Sequence, residues 1–473
     1  MNKRTKIVAT IGPASDSREK LLELIGAGVN VFRLNFSHGK QEEKKKLIEI
    51  IREVSDETGV AVAILADLQG PKIRVGELEN GAIELVADKT VIFNTTDVIG
   101  AGCLIPTTYE ALPHDVTVGD RILLDDGLME VQVTHIGNDE VHCKVITGGL
   151  LKNRKGMNLP GIKVSSPSLT EKDRDDLDFC IGQEVDYVAL SFVRSAQDVV
   201  ELKEIINKKN SNIAVISKIE KPEAVECFDA ILEVTDGVMV ARGDLGVEIS
   251  AERVPLIQKD IINKCNKVGK PVITATQMLE SMVSNPRPTR AETSDVANAI
   301  IDGTDAVMLS AETASGKYPV EAVNTMARIA KDVEKDVVLA EKCNGKSGGC
   351  IPVDLTEAIG QVACSLSETI GAAGILAFTQ TGSTAALVSK YRPRVPIVAA
   401  TPSQYVRRKL ALYHGVYSIT VENTANTEEQ IKVVEKSVIE AGLYKKGDLA
   451  VITMGSPVTQ TGTTNLVKAL RLT

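Results

Sequence analysis

Lys218 and Glu220 stand two residues apart in Ser217-Lys218-Ile219-Glu220, and Arg242-Gly243-Asp244 closes the next apolar run. Alternate residues of an extended strand project to one side, so Lys218 and Glu220 are expected to face the same way. Glu220 and Asp244 are read at the ends of adjacent strands. Two carboxylates across one strand gap hold Mg²⁺ and leave octahedral positions for water and substrate oxygens. The plainer reading is two acids in salt bridges with Lys218 or Arg242. The metal reading ranks ahead because Gly243 lets a ligand approach the backbone there. A lysine beside such carboxylates is either a cation for a phosphoryl group in transfer or a Schiff-base amine.

Other polar residues recur at comparable places. Arg33, Asn35 and Ser37 alternate in Arg33-Leu34-Asn35-Phe36-Ser37-His38, and Asp67, Thr276 and Ser310-Ala311-Glu312 also close apolar runs. Arg33 has the fork that fits phosphate or carboxylate. Asn35, Ser37 and Asp67 offer oxygens either to a weakly held monovalent cation or to one another. Any one of these residues could simply be a polar end to a strand. Six strands repeating the pattern argue for a site.

The elements that must position these residues are eight short, nearly continuous apolar runs: Lys6–Ile11, Val29–Leu34, Val60–Leu65, Val185–Ser191, Ile213–Ile219, Gly237–Val240, Pro271–Thr274 and Asp305–Leu309. Amphipathic helical stretches such as Ser17–Ile25 and Gln197–Ile206 separate most of them. Strands buried on both faces read this way. Eight βα units predict a closed (β/α)₈ TIM barrel, which carries its site at the C-terminal ends of the strands.

The connection after the third run differs in character. Between Gly70-Pro71 and Ser166-Pro167, alternating strands (Ala82–Val86, Arg121–Leu124, Glu130–Val133, Val141–Ile146) are punctuated by Asn80-Gly81, Asp126-Gly127, Gly137-Asn138 and Gly148-Gly149. These signals predict a small, barrel-like all-β domain over residues 71–167, hanging as a lid over the mouth of a barrel made of 1–70 and 168–345. A long helix, Val320–Val338, then leads to a polar linker, Cys343–Gly349. Residues 346–473 resume βα alternation (Gly374–Thr379, Pro396–Ala400, Val416–Val421, Leu449–Met454), which predicts a C-terminal α/β domain with a parallel sheet. In it, Thr379-Gln380-Thr381-Gly382-Ser383-Thr384 follows a strand and opens a helix. That is a weak phosphate-cradle signal, and ordinary capping explains most such sequences.

Composition narrows the function classes. With 473 residues, 43% hydrophobic and 25% charged, the chain has ordinary globular make-up. A net charge of -9, no Trp and few other aromatics argue against nucleic-acid binding. No apolar run approaches a membrane span, and the N-terminal segment has no signal-peptide apolar core. Eight Cys (103, 143, 180, 227, 265, 343, 350 and 364) form no Cys-x-x-Cys pair. Free thiols and a cytoplasmic location are expected.

Several segments resemble pyruvate kinase across the whole chain: TKIVATIGPAS, NVFRLNFSHG, ISKIEKPEAV, MVARGDLGVE, TATQMLESM, PRPTRAE, DVANAIIDGTDAVMLSAETA and GKYPVEA, in family order. DDGL and KGMNLPG of the inserted domain match in place. The resemblance implies phosphoryl transfer from phosphoenolpyruvate to ADP. It also implies Mg²⁺ (with Mn²⁺ as a substitute) on Glu220 and Asp244, and Lys218 as the transition-state cation. Arg33, Thr276 and the Gly243 and Asp244 amides would contact phosphoenolpyruvate, with Thr276 and Ser310 on a proton route. Asn35, Ser37, His38, Arg74 and Lys155 would face the nucleotide.

Asn35, Ser37, Asp67 and Leu68 correspond to a K⁺ site. Here the third-strand motif is ADLQGPKIRVG. Leu68, Gln69 and Lys72 replace the Thr, Lys and Glu of the K⁺-requiring pattern Asp-Thr-Lys-Gly-Pro-Glu, so K⁺ independence is expected. The resemblance further implies a phosphorylated effector at Thr379, Thr381, Gly382, Ser383 and Thr384, with the loop Gly455–Asn465 beside it, and a homotetramer. The competing readings are an Mg²⁺-dependent aldolase or lyase acting on pyruvate or phosphoenolpyruvate, and a sugar-phosphate sensor on a dead barrel.

Overall fold

The apolar runs become strands because two different surfaces cover their two sides. In the computed structural model, which describes residues 3–335, 355–458 and 462–473, eight parallel strands close into a barrel in chain order. They are Lys6–Thr10, Val31–Asn35, Ala63–Asp67, Tyr187–Leu190, Ala214–Ile219, Gly237–Ala241, Val272–Ala275 and Ala306–Leu309. One alternation (Ile7, Phe32, Ile64, Val188, Val215) packs outward against the helices. The other (Val8, Val31, Ala63, Leu65, Tyr187, Ala189, Ile216) fills the interior. Continued to the strand ends, the inward alternation passes through Thr10, Arg33, Asp67 and Lys218. The same period that fills the core therefore delivers the polar layer.

The inserted segment has its own core around Phe93, Ile105, Ile122, Val131 and Val141. Its six-stranded sheet has the order Met157–Asn158, Arg121–Leu124, Met129–Ile136, Glu140–Thr147, Thr90–Asn94, Leu104–Pro106, and Gly149–Lys152 pairs with Ala82–Leu85 in a separate sheet. Residues 73–76 bridge the two edges of the six-stranded sheet: Met157 N donates to Ile73 O at 3.0 Å and Val75 N to Lys155 O at 2.9 Å on one side, and Gly76 N to Pro106 O at 2.8 Å and Thr108 N to Arg74 O at 3.0 Å on the other. The short strand Leu104–Pro106 ends in a proline, which has no N–H to give, but its carbonyl accepts from Gly76 N.

The C-terminal sheet runs Val416–Thr420, Ile397–Thr401, Gly374–Phe378, Leu449–Met454, Leu466–Arg471. Four strands are parallel, but the last is antiparallel to its neighbour, so the sheet is mixed rather than purely parallel. That strand is half-exposed and carries Lys468 and Arg471, as edge strands often do, and its charges hide it from a hydrophobicity pattern. The long helix runs Pro319–Lys335. Its predicted end at Val338, the linker Cys343–Gly349 and the boundary at 345/346 lie outside the described residues.

The C-terminal domain docks on the N-terminal face of the barrel, opposite the polar layer. Ala411 and Leu412, on the 3₁₀ turn Leu410–Leu412, join the interior cluster of the barrel. Around them Tyr187 Oη donates to Lys409 O at 2.6 Å, Lys6 Nζ to Val416 O at 2.5 Å, and Arg392 pairs with Asp305 at 2.8 Å. Leu412 thus plugs the barrel base. Leu412→Ala is expected to lower stability by about 2–5 kcal/mol, the usual range for truncating a buried leucine. It should appear as a lower midpoint in a thermal melt, and an unchanged midpoint would show that the plug contributes little.

Candidate active site

The polar layer at the C-terminal end of the barrel is one hydrogen-bonded network. Arg33 Nε donates to Asp67 Oδ2 at 2.6 Å, and its NH1 to Thr10 Oγ1 at 3.0 Å. Lys218 Nζ lies 3.3 Å from Asp67 Oδ1, 2.8 Å from Glu220 Oε1 and 2.9 Å from Ser191 Oγ. The Phe192 amide donates to Glu220 Oε2 at 2.7 Å. The side chain of Lys218 is 12% exposed, and those of Asp67 and Glu220 are 2% exposed. The salt-bridge reading of Glu220 therefore holds as far as Lys218, while Arg242 pairs with Asp295 instead.

Burial shapes the electrostatics first, and neighbours decide the sign. Burial alone would lower the Lys218 pKa, but Asp67 and Glu220 outweigh it and hold the ammonium well above its ordinary value. Burial would raise Asp67, yet Lys218 and Arg33 keep its carboxyl below the usual range. Glu220 ends up raised, because burial and the like charge of Asp244 overcome Lys218. Carboxylates that repel each other in a buried setting have the chemistry to hold a divalent cation. The Asp244 carboxylate has no hydrogen-bond or ion-pair partner among the described residues, so it is free to take part.

Asp244 reaches this place differently from the way its sequence suggests. It lies in the first turn of the short helix Arg242–Glu248, not on a strand end. Thr276 follows its strand in the left-handed region, at φ 66°, as does Gln277 at φ 52°. Non-glycine residues pay for that conformation, and here Arg242 braces it by donating to Ala275 O at 3.2 Å and Thr276 O at 2.8 Å. The Thr276 hydroxyl accepts from the Gly243 amide at 2.7 Å and donates to Ala275 O at 2.7 Å. A Cβ on Gly243 would come within 3.3 Å of Thr276 Oγ1, so the glycine permits this approach. No hydrogen bond joins Thr276 to Ser310 among the described residues, and Ser310 instead donates its amide to Glu312.

Ser37 is not on the strand with Arg33 and Asn35. It lies in the turn beyond, where its amide donates to Asn35 Oδ1 at 3.0 Å. His38 is exposed; partial burial lowers its pKa, and the charges of Arg74, Lys44, Lys72 and Arg33 lower it further. His38 thus has several positive charges near it. Between the inserted domain and the barrel lies a cleft of about 500 Å³, whose walls include Lys72, Asn158, Phe192, Arg194, Lys221 and Asp244. Asn158 Nδ2 and Lys221 Nζ meet on Glu248 Oε1, at 2.8 and 2.6 Å. Lys155 is turned to Asp125 at 2.8 Å, within the inserted domain.

At the far end of the molecule, the loop Thr379–Thr384 and the loop after Met454 form a second hollow of about 320 Å³. Thr384 Oγ1 and Thr464 Oγ1 meet at 2.9 Å, Thr379 Oγ1 accepts from Gly382 N at 2.9 Å, and Thr381 and Ser383 hydroxyls lie 3.0 Å apart. Residues 459–461 of the second loop lie outside the described residues.

Two first-layer residues escaped the sequence reading, Thr10 and Ser191. Both follow from the same period-two rule, applied to the first and fourth strands. Six described cysteines are free thiols, four of them buried. No helix among the described residues is long and apolar enough to cross a membrane.

Fold and site define a (β/α)₈ enzyme with a buried Lys–carboxylate layer at the C-terminal face and an α/β domain at the opposite end. The family profile "Pyruvate kinase, barrel domain" matches residues 2–323, and "Pyruvate kinase, alpha/beta domain" matches 357–470. A pyruvate kinase of Bacillus licheniformis is 52% identical over 98% of this chain and 80% of its own length. One of Geobacillus stearothermophilus is 50% identical over 99% of this chain and 80% of its own. The crystal structure of a pyruvate kinase from Cryptosporidium parvum superposes with a TM-score of 0.93 at 41% identity, covering 100% of this chain and 96% of that one. The chain belongs to the pyruvate kinase family, a family of phosphotransferases.

Proposed function

We propose that this enzyme transfers the phosphoryl group of phosphoenolpyruvate to ADP, giving pyruvate and ATP, with Lys218 stabilising the group in transfer. The observation that carries this reading is the buried ammonium of Lys218, fixed between Asp67 and Glu220 beside the unpartnered Asp244. A buried, fixed cation stabilises charge at low reorganisation cost. The Lys218 pKa also speaks against the Schiff-base reading, since a Schiff base needs a neutral amine and both carboxylates hold this one charged.

Glu220 and Asp244 would hold Mg²⁺, with Mn²⁺ as a substitute, and the ion would supply Lewis-acid neutralisation of phosphoryl oxygens. Arg33 and Lys218 receive the substrate anion, with Thr276 and the Gly243 and Asp244 amides at its other side. The cationic rim of Arg74 and Lys72, beside the His38 ring, suits the phosphates of the nucleotide, and Lys155 joins it when the inserted domain closes as a lid. A coupled assay of ADP-dependent pyruvate formation tests the reading. Activity that is absent, or unaffected by EDTA, would refute it.

K⁺ is dispensable in this proposal. The oxygens of the monovalent site already have donors: Asn35 Oδ1 takes Ser37 N, Asp67 takes Arg33 and Lys218, and Leu68 O takes Ser191 Oγ at 2.7 Å. The hollow at Thr379, Thr381, Gly382, Ser383 and Thr384 is proposed as the site of a phosphorylated effector, in a cytoplasmic homotetramer. Thr384→Ala removes the Thr384–Thr464 link between its two loops. Its activation constant, measured with fructose bisphosphate, other sugar phosphates and nucleotides in turn, is expected to rise about tenfold, the worth of one hydrogen bond. Activity without effector is expected to stay put. An unchanged response would place the effector elsewhere.

A further inference from the structure

We infer that Ser191, at the end of the fourth barrel strand, is the positioning residue that sets the Lys218 ammonium for transfer. The inference rests on the role given to Lys218 above. An ammonium carries three N–H donors. Those of Lys218 have three acceptors: Asp67 Oδ1, Glu220 Oε1 and Ser191 Oγ. The two carboxylates have other duties, Asp67 toward Arg33 and Glu220 toward the divalent cation. Ser191 alone is neutral and free of such a duty, so its grip persists when the others are drawn on.

Its hydroxyl is also aimed. Ser191 is 2% exposed, and its Oγ donates to Leu68 O at 2.7 Å. Asp67 Oδ1 is a longer second acceptor at 3.4 Å, and with the proton on the shorter bond to Leu68 O the oxygen presents its lone pairs to Lys218. The backbone fixes the place: Leu68 N donates to Ala189 O at 3.1 Å, in continuation of the pairing of the third and fourth strands. The turn behind is pressed close, since a Cβ on Gly70, at φ +68°, would lie 2.9 Å from Ser191 Cβ.

The next residue works on the second partner of Lys218. Phe192 sits in the left-handed region at φ 55°, costly for a bulky side chain, and there its amide meets Glu220 Oε2 at 2.7 Å. The strand end thus holds Lys218 by a hydroxyl and Glu220 by an amide. Without the hydroxyl, Lys218 has only anionic acceptors and settles toward them, away from the substrate, while the buried Leu68 carbonyl loses its donor.

Steady-state kinetics and thermal melts of Ser191→Ala, Ser191→Cys and Ser191→Thr test this, with Lys218→Met beside them. Ser191→Ala and Ser191→Cys are expected to lose about 10- to 100-fold in kcat, as small misplacements of catalytic groups do, with KM for phosphoenolpyruvate changed less than about threefold. Ser191→Thr keeps the oxygen and is expected to recover most of kcat. A kcat within about twofold of wild type for Ala or Cys overturns the inference, as does a loss that Thr fails to rescue and that tracks the melting temperature. Cys, close in size to Ser, keeps the test open if Ala does not fold. Should Lys218→Met stay active, the role of Lys218 itself fails. Should only the Ser191 variants stay active, the inference alone falls.

Discussion

Lys218→Met is expected to cut kcat by about a thousandfold or more, with the fold intact and phosphoenolpyruvate still bound, because preorganised charge is usually the largest catalytic term. Methionine keeps much of the length of the side chain and removes its charge. The loss should be flat with pH across the assay range. The Lys218 pKa is raised, so the group is fully charged below its unfolded value and only alkali beyond the ordinary lysine range would discharge it. The same sign argument gives a second readout. Removing an ammonium 2.8 Å from Glu220 frees that carboxylate, so binding of Mn²⁺, followed by its paramagnetic signal, should hold or tighten. A kcat within tenfold of wild type, or Mn²⁺ binding lost together with activity, would remove Lys218 from the role proposed.

The barrel was legible because its code is short-ranged. Runs of apolar residues mark strands covered on both faces, and each lies within a few residues of its predicted place. Period two, followed along each run and just past it, locates Arg33, Lys218 and Asp67. Asp244 was found by type and spacing but misplaced in structure, because three residues after a strand serve equally as strand end or first helical turn. Four strands of the inserted domain went unread: Thr90–Asn94, Leu104–Pro106, Gly149–Lys152 and Met157–Asn158. They are short, half-polar, and stabilised by pairing with distant partners rather than by local pattern. Leu412 in the base of the barrel is beyond any local signal, since nothing near it in sequence records the cavity it fills. The site thus reads in the sequence as residue types on strands. Its brackets, Ser191 with Phe192 and Arg242 on the 276–277 turn, emerge only when neighbouring strands are placed side by side.

On the proposal that K⁺ is dispensable, Lys72→Glu is expected to create a requirement for it. Lys72 follows the tight turn at Gly70, where its amide donates to Gly70 O at 2.9 Å, and lines the cleft with Asp244, while its side chain has no hydrogen-bond or ion-pair partner among the described residues. Its charge helps to lower the pKa of His38. On the proposal made above, this unpaired ammonium would supply the positive charge of a bound monovalent cation. Replacing it with a carboxylate lowers the local charge by two, opposite to what a phosphate-laden substrate pair requires. In tetramethylammonium buffer, kcat/KM for phosphoenolpyruvate should fall by about 100-fold, comparable to losing an electrostatic stabiliser. Saturating K⁺ should restore most of it, through the oxygens of Asn35, Ser37, Asp67 and Leu68, while wild type stays level in both buffers. Lys72→Gln separates loss of the cation from gain of the anion and should lie between the two. Strong activation of wild type by K⁺ would sink the proposal, and a Lys72→Glu enzyme equally active in both buffers would show that the charge at 72 is not what replaces the ion.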